Sequence, residues 1–220
     1  MMDLKFVHDF LSDLALHNQK EWMDENKKRY QEAKEHVIEL IAAVIKQASA
    51  FDASLSTVEP KKTLFRINRD IRFSNNKDPY KTNFGAAIVD GGRKSGNPGY
   101  YIHIKPGDNF VGGGLYQPAP EAVIKIRQEI DYNGQEIRSI IDQEQFNKIY
   151  KEPYGEDKLK TAPKGYPKDH EHLDLLQLKH YVFMRKLSDK EMRSDTVVDL
   201  IADSFKTLYP FNQFLSRALD

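Results

Sequence analysis

The chain has 220 residues, 40% hydrophobic and 30% charged, the make-up of a folded domain with its own core and not of a disordered segment. Its 33 lysines and arginines match its 33 aspartates and glutamates, so no long-range field draws the whole molecule to nucleic acid or anionic lipid. It has no cysteine, which excludes disulfides, thiolate catalysis and sulfur-ligated zinc.

The first 22 residues, MMDLKFVHDFLSDLALHNQKEW, lack a basic start followed by an unbroken apolar run, so no signal peptide is expected. No apolar stretch approaches the ~20 residues that cross a bilayer. A soluble, cytoplasmic protein without membrane contact is the expectation. Phe6, Phe10 and Leu14, flanked by Val7 and Leu11, recur at helical spacing and predict an amphipathic helix over 3–16. Asn18 punctuates, and the stripe Trp22, Tyr30, Ala33, Val37, Ile41, Val44 and Ala48 predicts one long helix over 19–48.

After a loop at 54–60 the period changes to two. Residues 64–73 (LFRINRDIRF) read as a strand, with Phe65, Ile67, Ile71 and Phe73 facing the core and Arg66, Asn68, Asp70 and Arg72 opposite. Turn chemistry at 74–79 precedes a second extended piece at 83–89, which ends at Asp90, Gly91 and Gly92. Residues 99–105 alternate Tyr100, Ile102 and Ile104 against Tyr101, His103 and Lys105. A turn at 106–109 leads into Phe110 and Val111, and Gly112, Gly113 and Gly114 read as a hairpin or bulge.

Helical patterns return at 120–131 and 135–150. They are followed by a helix from Glu171, a short extended piece at 181–185, a capping box at Ser188 and Glu191, and helices on either side of Pro210. Helices, then strands, then helices predict one α+β domain over 1–220. Its small, mainly antiparallel sheet (61–117) packs against a helical N-terminal part (1–50) and a helical C-terminal part (118–220).

The chemistry concentrates in the sheet region, where 61–105 hold ten basic residues against three acidic ones. Arginine forks grip phosphate or carboxylate through paired hydrogen bonds, and Arg66, Arg69 and Arg72 converge on an anion if the strand carries a bulge. Pairing with Asp70 is the alternative. The triple glycine before a helix at Ala119 has parts of a phosphate cradle, but no Gly-Lys-Ser or Gly-Lys-Thr follows, and Pro118 and Pro120 remove amides. The loop 158–168 (KLKTAPKGYPK) is basic and able to close over an anion, which brings in Lys160 and Lys164. His170 and His172 stand two apart with no third ligand spaced to join them, so neither a metal site nor a cofactor is expected. His103, beside Tyr101, is the histidine nominated as acid or base.

Five segments in order, FLSDLALHNQKEW (10–22), FRINRDIRFSNNKDPYKTNFG (65–85), GYYIHIKPG (99–107), GGGLYQP (112–118) and LKTAPKGY (159–166), resemble the family of uncharacterised proteins named domain of unknown function 2461. The resemblance covers nearly the whole chain and implies one compact α+β domain with no established activity. Family members commonly read Ser-Lys-Asp-Lys where this chain has Ser74, Asn75, Asn76 and Lys77. A carboxylate at position 76 is thus missing, which weakens any role of this turn as metal ligand or general acid.

Two readings follow. In the first, Arg66, Arg69, Asp70, Arg72, Lys77, Tyr80, Lys81, Lys160 and Lys164 bind a small phosphate- or carboxylate-bearing ligand, with His103 beside it, in a sensor or an enzyme of unassigned reaction. In the second, the arginines are structural ion pairs of a non-catalytic protein-interaction module. Sequence-specific nucleic-acid binding is not expected, and any binding to DNA or RNA should be electrostatic and fade with salt. The oligomeric state is not legible.

Overall fold

Four antiparallel strands in the spatial order β1-β2-β3-β4 carry the fold: β1 (Phe84–Ile88), β2 (Gly99–Ile104), β3 (Asn109–Leu115) and β4 (Tyr181–Leu187). They are seen in a computed structural model that describes residues 2–154 and 157–220. The register sets Ala87 opposite Tyr101, Tyr101 opposite Gly112, and Gly112 opposite Met184. Alternation then sorts the two faces. Phe84, Tyr100, Ile102, Val111 and Phe183 are buried, whereas Ala87, Tyr101, His103, Phe110 and Met184 are only half-buried.

The helices are α1 (Leu4–Leu16), α2 (Lys20–Glu25), α3 (Lys27–Ala48), α4 (Pro60–Thr63), α5 (Pro120–Ile141), α6 (Glu144–Ile149), α7 (Leu173–Leu176), α8 (Asp189–Met192) and α9 (Val197–Leu219). Three of them cover the apolar face. Phe10 of α1 and Tyr30 of α3 meet Phe84 at 6.5 and 6.3 Å, while Phe205 and Phe211 of α9 meet Tyr100 and Phe183 at 4.6 and 5.0 Å. Each such buried ring contributes ~1.5–3 kcal/mol relative to exposure. The fold is α+β, with N- and C-terminal helices against an antiparallel sheet. Among the described residues no helix is long and apolar enough to cross a membrane.

The strand predicted at 64–73 does not form. Only two isolated bridges remain, Leu64 with Ala86 and Asn68 with Tyr80. Leu64 and Ile67 are buried, but Phe65 is 38% exposed and Phe73 95% exposed, so the apolar face read from alternation is not a core face. The reason is local competition. Asp70 Oδ1 accepts from Arg72 N, and Asn76 Oδ1 accepts from Asp78 N at 2.8 Å, so short side chains take up backbone donors that a ladder would need.

Other boundaries also differ. The long helix expected over 19–48 breaks at Asn26, whose side chain donates to Trp22 O and leaves its backbone outside helical values. The two helices expected at 120–150 are instead one kinked helix to Ile141, bent at Asn133, followed by short α6. α9 runs through Pro210, because buried Leu208, Phe211, Phe214 and Leu215 on both sides outweigh the ~3 kcal/mol that an interior proline costs. The triple glycine lies inside β3 and not at a hairpin. The capping box at Ser188 and Glu191 is present.

The hairpin between β2 and β3 is fixed by a buried clasp. Asn109, 1% exposed, accepts on Oδ1 from Lys105 N at 3.0 Å and lies 3.1 Å from His8 Nε2, while its Nδ2 donates to Asp189 Oδ1 at 2.6 Å. Asp189 also accepts from Gly107 N at 2.9 Å. Helix α1, the hairpin and α8 are thereby joined through one side chain.

Candidate functional site

The basic residues of 66–81 divide into two groups. Arg72 donates twice to Asp70, at 2.9 and 2.7 Å, and these bonds hold the Asp70 carboxyl below its ordinary range. Arg69 donates to Asp78 O and Ser74 Oγ, both at 3.2 Å, and Lys77 Nζ donates to Ile71 O at 3.1 Å. Arg69, Asp70, Arg72 and Lys77 therefore close the loop on itself. Because the Arg72–Asp70 pair is exposed, it adds little to stability. Tyr80 is buried, and Asn18 holds its backbone from both sides, at 3.1 and 3.0 Å. Lys160 and Lys164 are exposed on a loop bonded to Gln177, ahead of β4.

Arg66 and Lys81 form the second group, and Arg93 joins them. The Arg93 guanidinium lies 4.7 Å from the centre of the Phe65 ring and the Lys81 ammonium 5.5 Å from it. Burial pushes the Lys81 pKa down, and the charges of Arg66 and Arg93 push it further. Among the described residues, none of the three makes an ion pair with a carboxylate. Cation–π contact with Phe65 holds Lys81 and Arg93 in place without cancelling their charge.

From Phe65 a row of rings continues across the uncovered face of the sheet. Phe65 meets Tyr101 edge-on at 6.2 Å, Tyr101 meets Phe110 at 5.7 Å, and His103 stacks on Phe110 at 4.5 Å. Tyr101 reaches across Gly85, where an added Cβ would collide with the phenol oxygen. Its hydroxyl lies 3.3 Å from His103 Nδ1. Burial pushes the Tyr101 hydroxyl up to about 12 and His103 down to about 4, so both are neutral near pH 7. At the far end Lys186 lies over Phe110 at 5.4 Å and pairs with Asp108 at 2.5 Å.

A family model described as "Conserved hypothetical protein (DUF2461)" matches residues 7–214, which takes in the cation cluster and the whole ring-bearing face. The chain belongs to this family. No similar curated protein and no similar solved structure was found. The family's description names no reaction.

Asn76 Oδ1 accepts from Asp78 N at 2.8 Å, so a neutral amide closes this turn. A cleft of about 320 Å³ runs along the outer edge of β1, lined in part by Val58, Glu59, Thr63, Ala87, Val89 and Arg93. Arg93 thus belongs to both the cleft and the cluster. Sequence reasoning counted it among the basic residues but did not place it at the site, because its position depends on the 89–98 loop folding back onto Phe65.

The neutral histidines make stability depend on pH. Burial lowers the pKa of His103 to about 4 and that of His8 below the ordinary 6.5, whereas the unfolded chain takes up these protons near 6.5. The unfolded state therefore binds more protons below about pH 6.5, and stability falls with pH through the window from there toward 4. Between about pH 6.5 and 5 most carboxylates stay ionised, so a drop in melting temperature there reports the histidines. His103→Gln should flatten part of that slope. Equal melting temperatures across the window would refute the assignment.

Proposed function

We propose that the protein binds a small phosphate- or carboxylate-bearing ligand at Arg66, Lys81 and Arg93. The observation that carries this is the meeting of Lys81 and Arg93 on the Phe65 ring, with Arg66 near enough to act on the Lys81 charge and, among the described residues, no carboxylate ion-paired to any of the three. Like charges held together oppose one another in the empty protein, and an anion with two or more negative oxygens relieves that opposition. The adjoining cleft offers space for the rest of the ligand at a volume within the usual range for small-molecule sites. The structural reading of the arginines describes Arg69 and Arg72, which are engaged within their own loop.

A thermal-shift titration with pyrophosphate and with citrate tests this. At a ligand concentration ~100 times Kd the expected stabilisation is about 2.7 kcal/mol, and it should vanish in Arg93→Ala and Lys81→Ala. Those substitutions relieve repulsion, so the unliganded melting temperature should hold or rise. Arg72→Ala should keep the full response. Absence of any shift, or an undiminished shift in Arg93→Ala, overturns the reading.

A further inference from the structure

Helices α1, α3 and α9 cover one face of the sheet, and the opposite face carries the rings Phe65, Tyr101, His103 and Phe110 with unpaired cations at one end. We propose that this open face binds single-stranded nucleic acid, with phosphodiesters at Arg66, Lys81 and Arg93 and bases against the ring row. The proposal rests on the reading of the cation cluster as an anion site and names the polymer to which the anion belongs.

Three observations support it. First, the row is continuous. It runs from Phe65, whose backbone donates to Gly85 outside β1, through Tyr101 and His103 on β2 to Phe110 on β3. That path crosses three strand spacings, ~14 Å, which accommodates roughly two or three consecutive bases. Second, the rings are half-buried to exposed, with no helix of the apolar face laid over them, so the surface is a platform and not an enclosed pocket. Platforms of aromatic rings flanked by cations are what single strands use, because their unpaired bases offer flat faces and their phosphates regular negative charge.

Third, the charges are complementary in placement. Among the described residues no carboxylate is ion-paired to the cluster beside Phe65, although Asp70 lies near enough to feel Arg66 and Glu59 and Asp90 line the cleft with Arg93, whereas Lys186 above Phe110 is paired with Asp108, so the strand is anchored mainly at the β1 edge. An acidic protein segment would satisfy the cations but leave the rings unused. A single strand uses both. The platform offers few free hydrogen-bonding groups, since the Tyr101 hydroxyl is engaged with His103 Nδ1. Binding is therefore tolerant of sequence. The neutral net charge supplies no long-range attraction, and about three neutralised phosphates set the salt dependence.

Fluorescence anisotropy with a labelled oligo(U) of roughly a dozen nucleotides tests this, with a duplex of the same length as control and pyrophosphate thermal shift in parallel. Expected results are single-strand binding, at least ~10-fold weaker duplex binding, and a log–log salt slope of about −2. Phe110→Leu, which keeps the position apolar, and Tyr101→Ala should each weaken oligo(U) binding by ~5-fold or more while leaving the pyrophosphate shift intact. Arg93→Ala should lose both. A pyrophosphate shift without oligo(U) binding overturns this proposal and leaves the small-anion reading standing, whereas loss of both signals in the unmutated protein overturns that reading as well. Equal affinity for duplex, or unchanged binding in Phe110→Leu, reduces the contact to plain electrostatics and removes the ring platform.

Discussion

Asn109→Ala is expected to destabilise the protein by about 3 kcal/mol or more, because one truncation breaks buried or part-buried contacts to three separate elements. Asn109 is buried, and all of its polar atoms are engaged: Oδ1 with Lys105 N and His8 Nε2, Nδ2 with Asp189. Alanine leaves the part-buried Lys105 amide without its acceptor and removes the partner of buried His8 Nε2, whose ring keeps only Asp189 at 3.8 Å from Nδ1, and each such loss costs ~1–3 kcal/mol. Asp189 keeps its bond from Gly107 N but loses one of the contacts that hold its carboxyl below the ordinary range. For a chain of this length the loss corresponds to a fall in melting temperature of about 6–12 °C. The hairpin pinned by this clasp carries His103 and Phe110, so the ring row should loosen with it. Urea unfolding gives the number, and exposed Asn75→Ala, expected within about 0.5 kcal/mol of the unmutated protein, is the control. A loss below about 1 kcal/mol would show that the clasp does not hold the hairpin.

Neither His8 nor Asn109 could be singled out from the sequence, since the two side chains that meet are 101 positions apart. His8 reads as one more residue of an amphipathic helix and Asn109 as turn chemistry. What was legible is whatever depends on one buried face. The alternation at Tyr100, Ile102 and Ile104 predicts β2 because helices cover that side, and the helical stripes around Phe10 and Val37 predict α1 and α3 for the same reason. The same alternation at 64–73 misleads. Phe65 and Phe73 have the right period, but their backbone finds no continuous ladder partner, and period alone carries no information about partners.

The candidate site was legible in kind and not in membership. A local basic excess marked the stretch from which Lys81 and Arg93 come together on Phe65, with the Arg66 charge acting on Lys81. Sequence spacing did not separate Arg72, which pairs with a carboxylate two residues away, from Arg66, which does not. Nor could it bring Arg93 against Phe65, because that placement follows from the fold of a loop rather than from spacing.

Gly114→Ala should be the more damaging substitution, at about 3–5 kcal/mol, and the cause is backbone meeting backbone. Gly114 sits within β3 at a φ of +114°, a conformation side chains rarely adopt. An added Cβ would overlap the Tyr181 carbonyl oxygen and approach Val182 Cα to 3.0 Å. Neither neighbour is the far end of a flexible side chain. Relief therefore requires the ladder between Gly114 and Val182 and between Leu115 and Tyr181 to open, which exposes Tyr181 and Phe183 from the core. Gly85→Ala is the informative contrast. There the added Cβ meets the hydroxyl end of Tyr101, which can swing aside, so the cost should stay near ~1 kcal/mol. Gly85→Ala should thus disturb the ring row with the fold intact, while Gly114→Ala should unfold the sheet edge before any ligand is added. Denaturant unfolding of the two variants side by side checks the ordering, and a Gly114→Ala protein as stable as Gly85→Ala would show that β3 and β4 do not approach as closely as the structure has them.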